Sequence, residues 1–164
     1  ADIAVRMARP EEGDLIAQRA FDLGWFVYAQ PGYLERAGRP RTHDELRQHR
    51  LVLYLPHMHA VAPMRWLEQH RQEGHEVARV DSVDLACIVA ASGSGLAVLP
   101  TFVGDRNAQL VRVFAERVSV NTGWIVYHES ARNSARVRAV ADALLRHFRA
   151  AEPVLAGLAP PGAA

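Results

Sequence analysis

One cysteine, Cys87, is too few for a disulfide within the chain. It stands in an apolar stretch and reads as a small core residue in preference to a nucleophile. Lysine is absent, so all 19 basic residues are arginine and no P-loop lysine exists. Long apolar runs are also lacking. The longest, residues 85–91, is far too short to span a bilayer. No basic-then-apolar leader opens the chain, and nothing indicates secretion. An excess of one charge sign is missing as well. With 19 basic against 18 acidic residues the net charge is +1, which leaves no electrostatic footprint for nucleic acid. Arg9, Arg19, Arg36, Arg39, Arg41, Arg47 and Arg50 are interleaved with Glu11, Glu12, Asp14, Glu35, Asp44 and Glu45, as on a mixed solvated surface.

What is present is ordinary for a globular chain: 49% apolar and 23% charged residues in 164. That length buries one sizeable core or two small lobes. Residues 80–100 carry the clearest local signals. Asp81 or Ser82 can cap a helix. Leu85, Ala86, Ile88, Val89 and Ala90 are apolar almost all round, which predicts a helix buried on most sides. Gly93 and Gly95 end it. Residues 96–99 then form an unbroken apolar run, suited to a parallel strand covered on both faces, and Pro100 stops pairing.

Elsewhere, residues 3–5 read as a strand and Arg9 to Asp14 as a loop. Two strands, 15–21 and 25–29, are expected around a turn at Asp22-Leu23-Gly24. Pro31 ends the second, and a short helix follows over 32–37. Thr42 and Glu45 have capping-box spacing, which predicts a helix to about His49. Strands are expected at 51–55, 110–114 and 124–128, with a loop at 56–63, a short partly buried stretch at 64–72, residues 77–80 leading into the 80–100 block, and a helical turn or loop over 101–107. After Ser134, Val137, Val140, Ala141, Leu144, Leu145 and Phe148 recur at helical spacing. Residues 152–164 have too little apolar variety to pack and read as mostly disordered. Alternating strands and helices imply a mainly parallel α/β sheet.

Motifs for chemistry are weak. Gly93-Ser94-Gly95 lacks the third glycine of a nucleotide loop, and its order is helix–glycine–strand where a phosphate cradle needs the reverse. No G-x-S-x-G elbow is present. His57 and His59 could share a strand face as metal ligands, but no third ligand accompanies them, and a solvated loop is favoured. No cofactor and no catalysis are expected. Ser82 with Val83 is more useful: a helix start offers free N–H groups and a hydroxyl to an anion. A plain N-cap is the competing reading. Arg6, at a strand end, could pair with a carboxylate, or equally with Asp2 or Glu11 at the surface.

The ordered set of motifs resembles one family. It comprises Asp2-Ile3-Ala4-Val5-Arg6, Tyr28-Ala29-Gln30-Pro31-Gly32-Tyr33-Leu34, Gly38-Arg39-Pro40-Arg41-Thr42-His43-Asp44-Glu45-Leu46 with His49, and Gly93-Ser94-Gly95-Leu96-Ala97-Val98-Leu99-Pro100. Leu110-Val111-Arg112-Val113, Trp124-Ile125-Val126-Tyr127 and Arg136-Val137-Arg138-Ala139-Val140 complete it. Together these look like the effector-binding domain of LysR-type transcriptional regulators, over roughly residues 2–150. The resemblance implies a type 2 periplasmic-binding-protein-like fold, two α/β lobes joined by two crossing strands. Residues 1–28 and 120–151 would form the first lobe and 29–119 the second. Set beside the family, the chain starts partway through the first lobe, which implies a C-terminal fragment with that lobe incomplete.

The family places effector contacts at the interlobe cleft. By resemblance these fall on Arg6, Ala29, Gln30, Ser82, Val83, Pro100, Thr101 and Phe102, with packing as the equal alternative for each of Ala29, Gln30, Pro100, Thr101 and Phe102. The implied partner is a small, anionic effector. DNA would be bound only through an absent helix-turn-helix, with no membrane, a cytoplasmic location and homo-oligomers in the full-length protein. A solute-binding protein of a transporter would share the fold and is the alternative.

Overall fold

The computed structural model describes residues 2–10 and 13–159, arranged as two units, Ala1–Gly24 with Val120–Ala164, and Trp25–Ser119. The chain passes between them inside two strands, β2 (Leu15–Ala29) and β7 (Ser119–His128). The fold is thus two α/β lobes linked by crossing strands. The first boundary falls at Gly24, earlier than the expected residue 28. Among the described residues no helix is long and apolar enough to cross a membrane.

In the first unit, β7 lies between β1 (Ile3–Arg6) and β2. β1 pairs with β7 antiparallel, Ile3 opposite Tyr127 and Arg6 opposite Trp124. Helix α5 (Ala135–Leu155) starts at Ser134, whose hydroxyl caps the Val137 N–H. Its periodic face buries Val137, Ala141 and Leu145, whereas Val140 is 48% exposed. The rings of Phe148 and Phe21 are 4.6 Å apart. Phe21 also covers Gly123, where an added Cβ would stand 2.4 Å from the ring.

Two expectations fail here. The turn at Asp22-Leu23-Gly24 does not form, and β2 is one strand of 15 residues. Turn-prone composition is overridden because each group finds a partner in the extended chain. Asp22 accepts a hydrogen bond from Thr122 Oγ1 at 3.0 Å, its N–H donates to Glu152 Oε1 at 3.1 Å, and Leu23 is buried. The disordered tail placed from Glu152 is likewise corrected. α5 continues through Leu155, Glu152 binds Arg19, and Ala156 is buried. The rest of that tail, residues 160–164, lies outside the described residues, as do Glu11 and Glu12.

In the second unit, β5 (Ala97–Pro100) and β6 (Val111–Arg112) pair antiparallel with the end of β2, Phe26 opposite Leu99 and Tyr28 opposite Arg112. β3 (Leu51–Tyr54) and β4 (Glu76–Val80) are parallel. Between them come a 3-10 turn at Pro56–Ala60 and helix α2 (Ala62–Glu68), where a loop and a mixed stretch were expected. A parallel bridge joins Leu51 to Leu96. The mainly parallel sheet is therefore corrected. Residues 96–99 are fully buried as expected, yet their ladder to β2 is antiparallel.

Helix α1 (Pro31–Ala37) opens with proline at its first position, where the missing N–H costs nothing. The Thr42 capping box is absent. A 3-10 helix at Asp44–Gln48 replaces it, and Glu45 accepts from the Arg41 N–H at 2.7 Å. Helix α3 (Val83–Ala91) is not buried on most sides, since Leu85 and Ile88 are 45% and 64% exposed. Small Ala86, Cys87 and Ala90 form its buried face. Gly95 fits tightly between neighbours; a Cβ there would lie 2.6 Å from the Arg50 carbonyl oxygen.

Candidate functional site

Ser82 is extended, with φ −150° and ψ 155°, and its Oγ accepts from the Leu85 N–H at 3.3 Å. Its carbonyl takes the Ala86 N–H. The cap therefore satisfies one of the free donors of the first turn. The N–H groups of Val83 and Asp84 have no carbonyl within the helix to reach. Ser82 and Val83 are half-buried and Asp84 is exposed, so the helix start lies at the surface of the unit. Asp84 adds a negative charge to the same turn.

Helix α4 (Thr101–Gly104) begins directly after β5, with Pro100 at its start. Thr101 is buried at 1% and Phe102 is 48% exposed. Phe102 lines an open depression of about 500 Å³ shared with Asp84 and Cys87 of α3 and with Val103, Arg106, Asn107 and Ala108. The structure therefore brings Phe102 beside Asp84 and Cys87 of α3, whereas Ser82 and Val83 do not line this depression.

A polar strut fixes α4. The Tyr28 hydroxyl donates to Asp105 Oδ1 at 2.9 Å, and Arg112 Nε donates to the same oxygen at 2.9 Å. A second Arg112 nitrogen binds Asp105 Oδ2, and the guanidinium stacks 3.8 Å from the Phe26 ring centroid. Burial, then the Asp105 charge, pushes the Tyr28 phenol far above its ordinary pKa, so it is a donor at any physiological pH. Asp105 escapes a sequence reading because it stands after α4 in no motif; Tyr28 and Arg112 stand in motifs that carry the resemblance, but nothing in those motifs indicates that the three side chains meet.

Ala29 is fully buried at the end of β2, opposite Val111. Gln30 uses its side-chain oxygen to cap α1, accepting from the Tyr33 N–H at 2.9 Å. Pro100 pairs with Trp25. These residues, with Thr101 and Phe102, belong to the second unit; Arg6 belongs to the first, exposed on β1. Among the described residues Arg6 forms no ion pair. His57 and His59 sit on the 3-10 turn, not on a strand, and His59 Nε2 lies 3.0 Å from the Tyr54 carbonyl oxygen.

The family model described as "LysR substrate binding domain" matches residues 1–149. An uncharacterized HTH-type transcriptional regulator of Haemophilus influenzae is 28% identical over 123 residues, 70% of this chain and 42% of that protein. A second HTH-type transcriptional regulator, from Xanthomonas campestris, is 38% identical over 52 residues, 32% of this chain and 15% of that protein. The chain thus spans less than half of each curated relative. Among solved structures, the regulatory domain of CrgA, a LysR-type transcriptional regulator from Neisseria meningitidis, has a TM-score of 0.71 at 23% identity, over 90% of this chain and 75% of that one. The CcmR regulatory domain of Synechocystis, solved in complex with 2-PG, has a TM-score of 0.68 at 17% identity, over 90% and 74%. With the crossing strands and the motif order already in place, the match over residues 1–149 shows that this chain belongs to the LysR substrate-binding domain family, the effector-binding regulatory domain of LysR-type transcriptional regulators.

Proposed function

We propose that this domain senses a small anionic molecule, and that occupancy alters DNA binding by a helix-turn-helix carried elsewhere in a longer protein. The observation that supports the anion is the start of α3. An accessible hydroxyl and two N–H groups without helical partners meet there, at the positive end of the helix. The exposed Phe102 supplies an apolar contact across the neighbouring depression. Small-molecule sensing is carried from the fold's likeness to CcmR, and the helix-turn-helix from the descriptions of the two curated relatives. Arg6 enters this proposal from the family resemblance and carries its own test. Gln30, Ala29, Pro100 and Thr101 are proposed as the walls around the contacts.

The test is calorimetric titration of the full-length regulator with a panel of small carboxylates and phosphate esters. Ser82→Ala keeps the backbone donors and is expected to weaken the best ligand about tenfold, which is about 1.4 kcal/mol. Arg6→Ala is expected to weaken it further, because a bound carboxylate would lose its countercharge. Circular dichroism verifies that both variants fold. Unchanged affinity in both folded variants overturns the site and leaves Ser82 as a plain helix cap.

A further inference from the structure

A recess of about 340 Å³ in the second unit has two arginines and no carboxylate in its wall. It is lined by Tyr33, Arg36 and Ala37 of α1, by Arg50, and by Gly93 and Ser94. The floor is settled. Tyr33 is 5% exposed, and its hydroxyl accepts from the Arg50 N–H at 3.0 Å while lying 3.2 Å from His49 Nδ1. That hydroxyl therefore does not compete for a guanidinium. The Arg50 backbone is pinned from the other side as well, since its carbonyl accepts from the Leu96 N–H at 2.8 Å.

The two cations are less engaged. Arg36 donates one N–H to the Gly93 carbonyl at 3.1 Å, which leaves the rest of its fork to the recess. The Arg50 guanidinium has no ion pair among the described residues. Burial pushes the Tyr33 phenol above its ordinary pKa, opposed by the hydrogen bond from the Arg50 N–H and by the charges of Arg50 and Arg36, which places both guanidinium groups near this hydroxyl. The Ser94 hydroxyl rests against Ser92 Oγ at 2.8 Å and can turn toward a guest. Two guanidinium forks in a wall without a carboxylate suit a tetrahedral or planar oxoanion.

We propose that Arg36, Arg50 and Ser94 form a second anion site, for phosphate or a small phosphate ester, distinct from the start of α3. Gly93 follows the last turn of α3 and Ser82 precedes its first, so the two places are separated by the length of a nine-residue helix, roughly 13 Å. The site stands whether or not the effector is held at Ser82.

The experiment is a ¹⁵N–¹H titration of this chain with inorganic phosphate, and separately with glycerol phosphate, against chloride at matched ionic strength. Saturable shifts are expected at Arg50, Gly93 and Ser94 and not at Ser82 or Val83. Arg50→Gln is expected to weaken phosphate about tenfold. It keeps the backbone N–H on Tyr33, so the fold should persist, and Arg36→Lys serves as a milder second variant. A stronger response to glycerol phosphate names the ester as ligand, and equal responses name free phosphate. Shifts that chloride reproduces overturn the proposal, as do shifts confined to the start of α3 or unchanged affinity in Arg50→Gln. Loss of effector binding in Ser82→Ala with phosphate shifts intact supports it.

Discussion

The Tyr28 ring fills the space that a side chain at Gly104 would need: a Cβ built on Gly104 would stand 2.3 Å from Tyr28 Cζ. β2 and α4 thus meet with no room for a methyl group, and the Tyr28–Asp105 hydrogen bond closes the same contact. Gly104→Ala is expected to cost about 2–3 kcal/mol by overpacking and to displace Thr101 and Phe102. Tyr28→Phe keeps the ring and loses only the hydrogen bond, and about 1–2 kcal/mol is expected. Urea denaturation of both variants measures the difference. An alanine variant as stable as the wild type would show that α4 shifts freely.

Acid should loosen the second unit through His49. Burial holds its imidazole below the ordinary histidine pKa, helped by the nearby His75 and opposed by Glu45. The Tyr33 hydroxyl, which accepts from the Arg50 N–H, lies 3.2 Å from His49 Nδ1 in the same buried corner. The unfolded chain binds a proton near pH 6.5, before the folded one does. Stability is therefore full above about pH 6.5 and falls as the pH drops toward the lower folded value. His49→Gln is expected to flatten that part of the melting curve plotted against pH. Parallel slopes for wild type and variant below pH 6.5 would remove His49 from the account.

Glu68 sets a second, more acidic limit. Arg79 grips both its oxygens, at 3.0 and 2.9 Å, and holds its carboxyl below the usual range. Arg79 also reaches Glu76, Arg71 contacts both carboxylates, and His59 Nε2 lies 3.8 Å from Glu68, so five side chains share the cluster. The unfolded carboxyl titrates near 4.3. This contribution is complete above that value and disappears as the pH falls through the lower folded one. Glu68→Gln is expected to cost about 1–2 kcal/mol at neutral pH. The cost should shrink in acid, and equal costs at pH 7 and pH 3 would contradict it.

The end of α5 offers a simple comparison. Glu152 binds Arg19 and accepts the Asp22 N–H. A chain stopped after Ala151 should melt several degrees below the intact one, and Glu152→Gln should account for part of the loss. Identical melting temperatures would restore a tail that contributes nothing.

Much of this architecture can be read along the chain, for identifiable reasons. Ser134 and the spacing of Val137, Ala141 and Leu145 define α5, because capping and burial there are local. Ser82 and the run ending at Pro100 are legible on the same grounds. The errors arise where distant partners decide. Asp22 and Gly24 have turn chemistry, but β7 and Glu152 supply extended-chain partners about a hundred residues or more away. Leu85 and Ile88 look like core residues, yet they face solvent because Ala86, Cys87 and Ala90 let α3 pack by its small face. In the site, the Ser82 cap was visible; the Tyr28–Asp105–Arg112 strut and the shared recess of Arg36 and Arg50 depend on tertiary approach and carry no spacing signal.

The discontinuity of the first unit has a consequence for synthesis. Ile3 finds its strand partner only at Tyr127. At translation speeds of about 5–20 residues per second, that partner is made roughly 6–25 s later. Residues 25–119, by contrast, are one uninterrupted segment and can complete their own core in the meantime. On the ribosome this chain should therefore gain structure from its middle outward. Until β7 is made, β1 and early β2, with Phe21 and Leu23, lack the strand that pairs with them and offer an open edge to a nascent-chain chaperone.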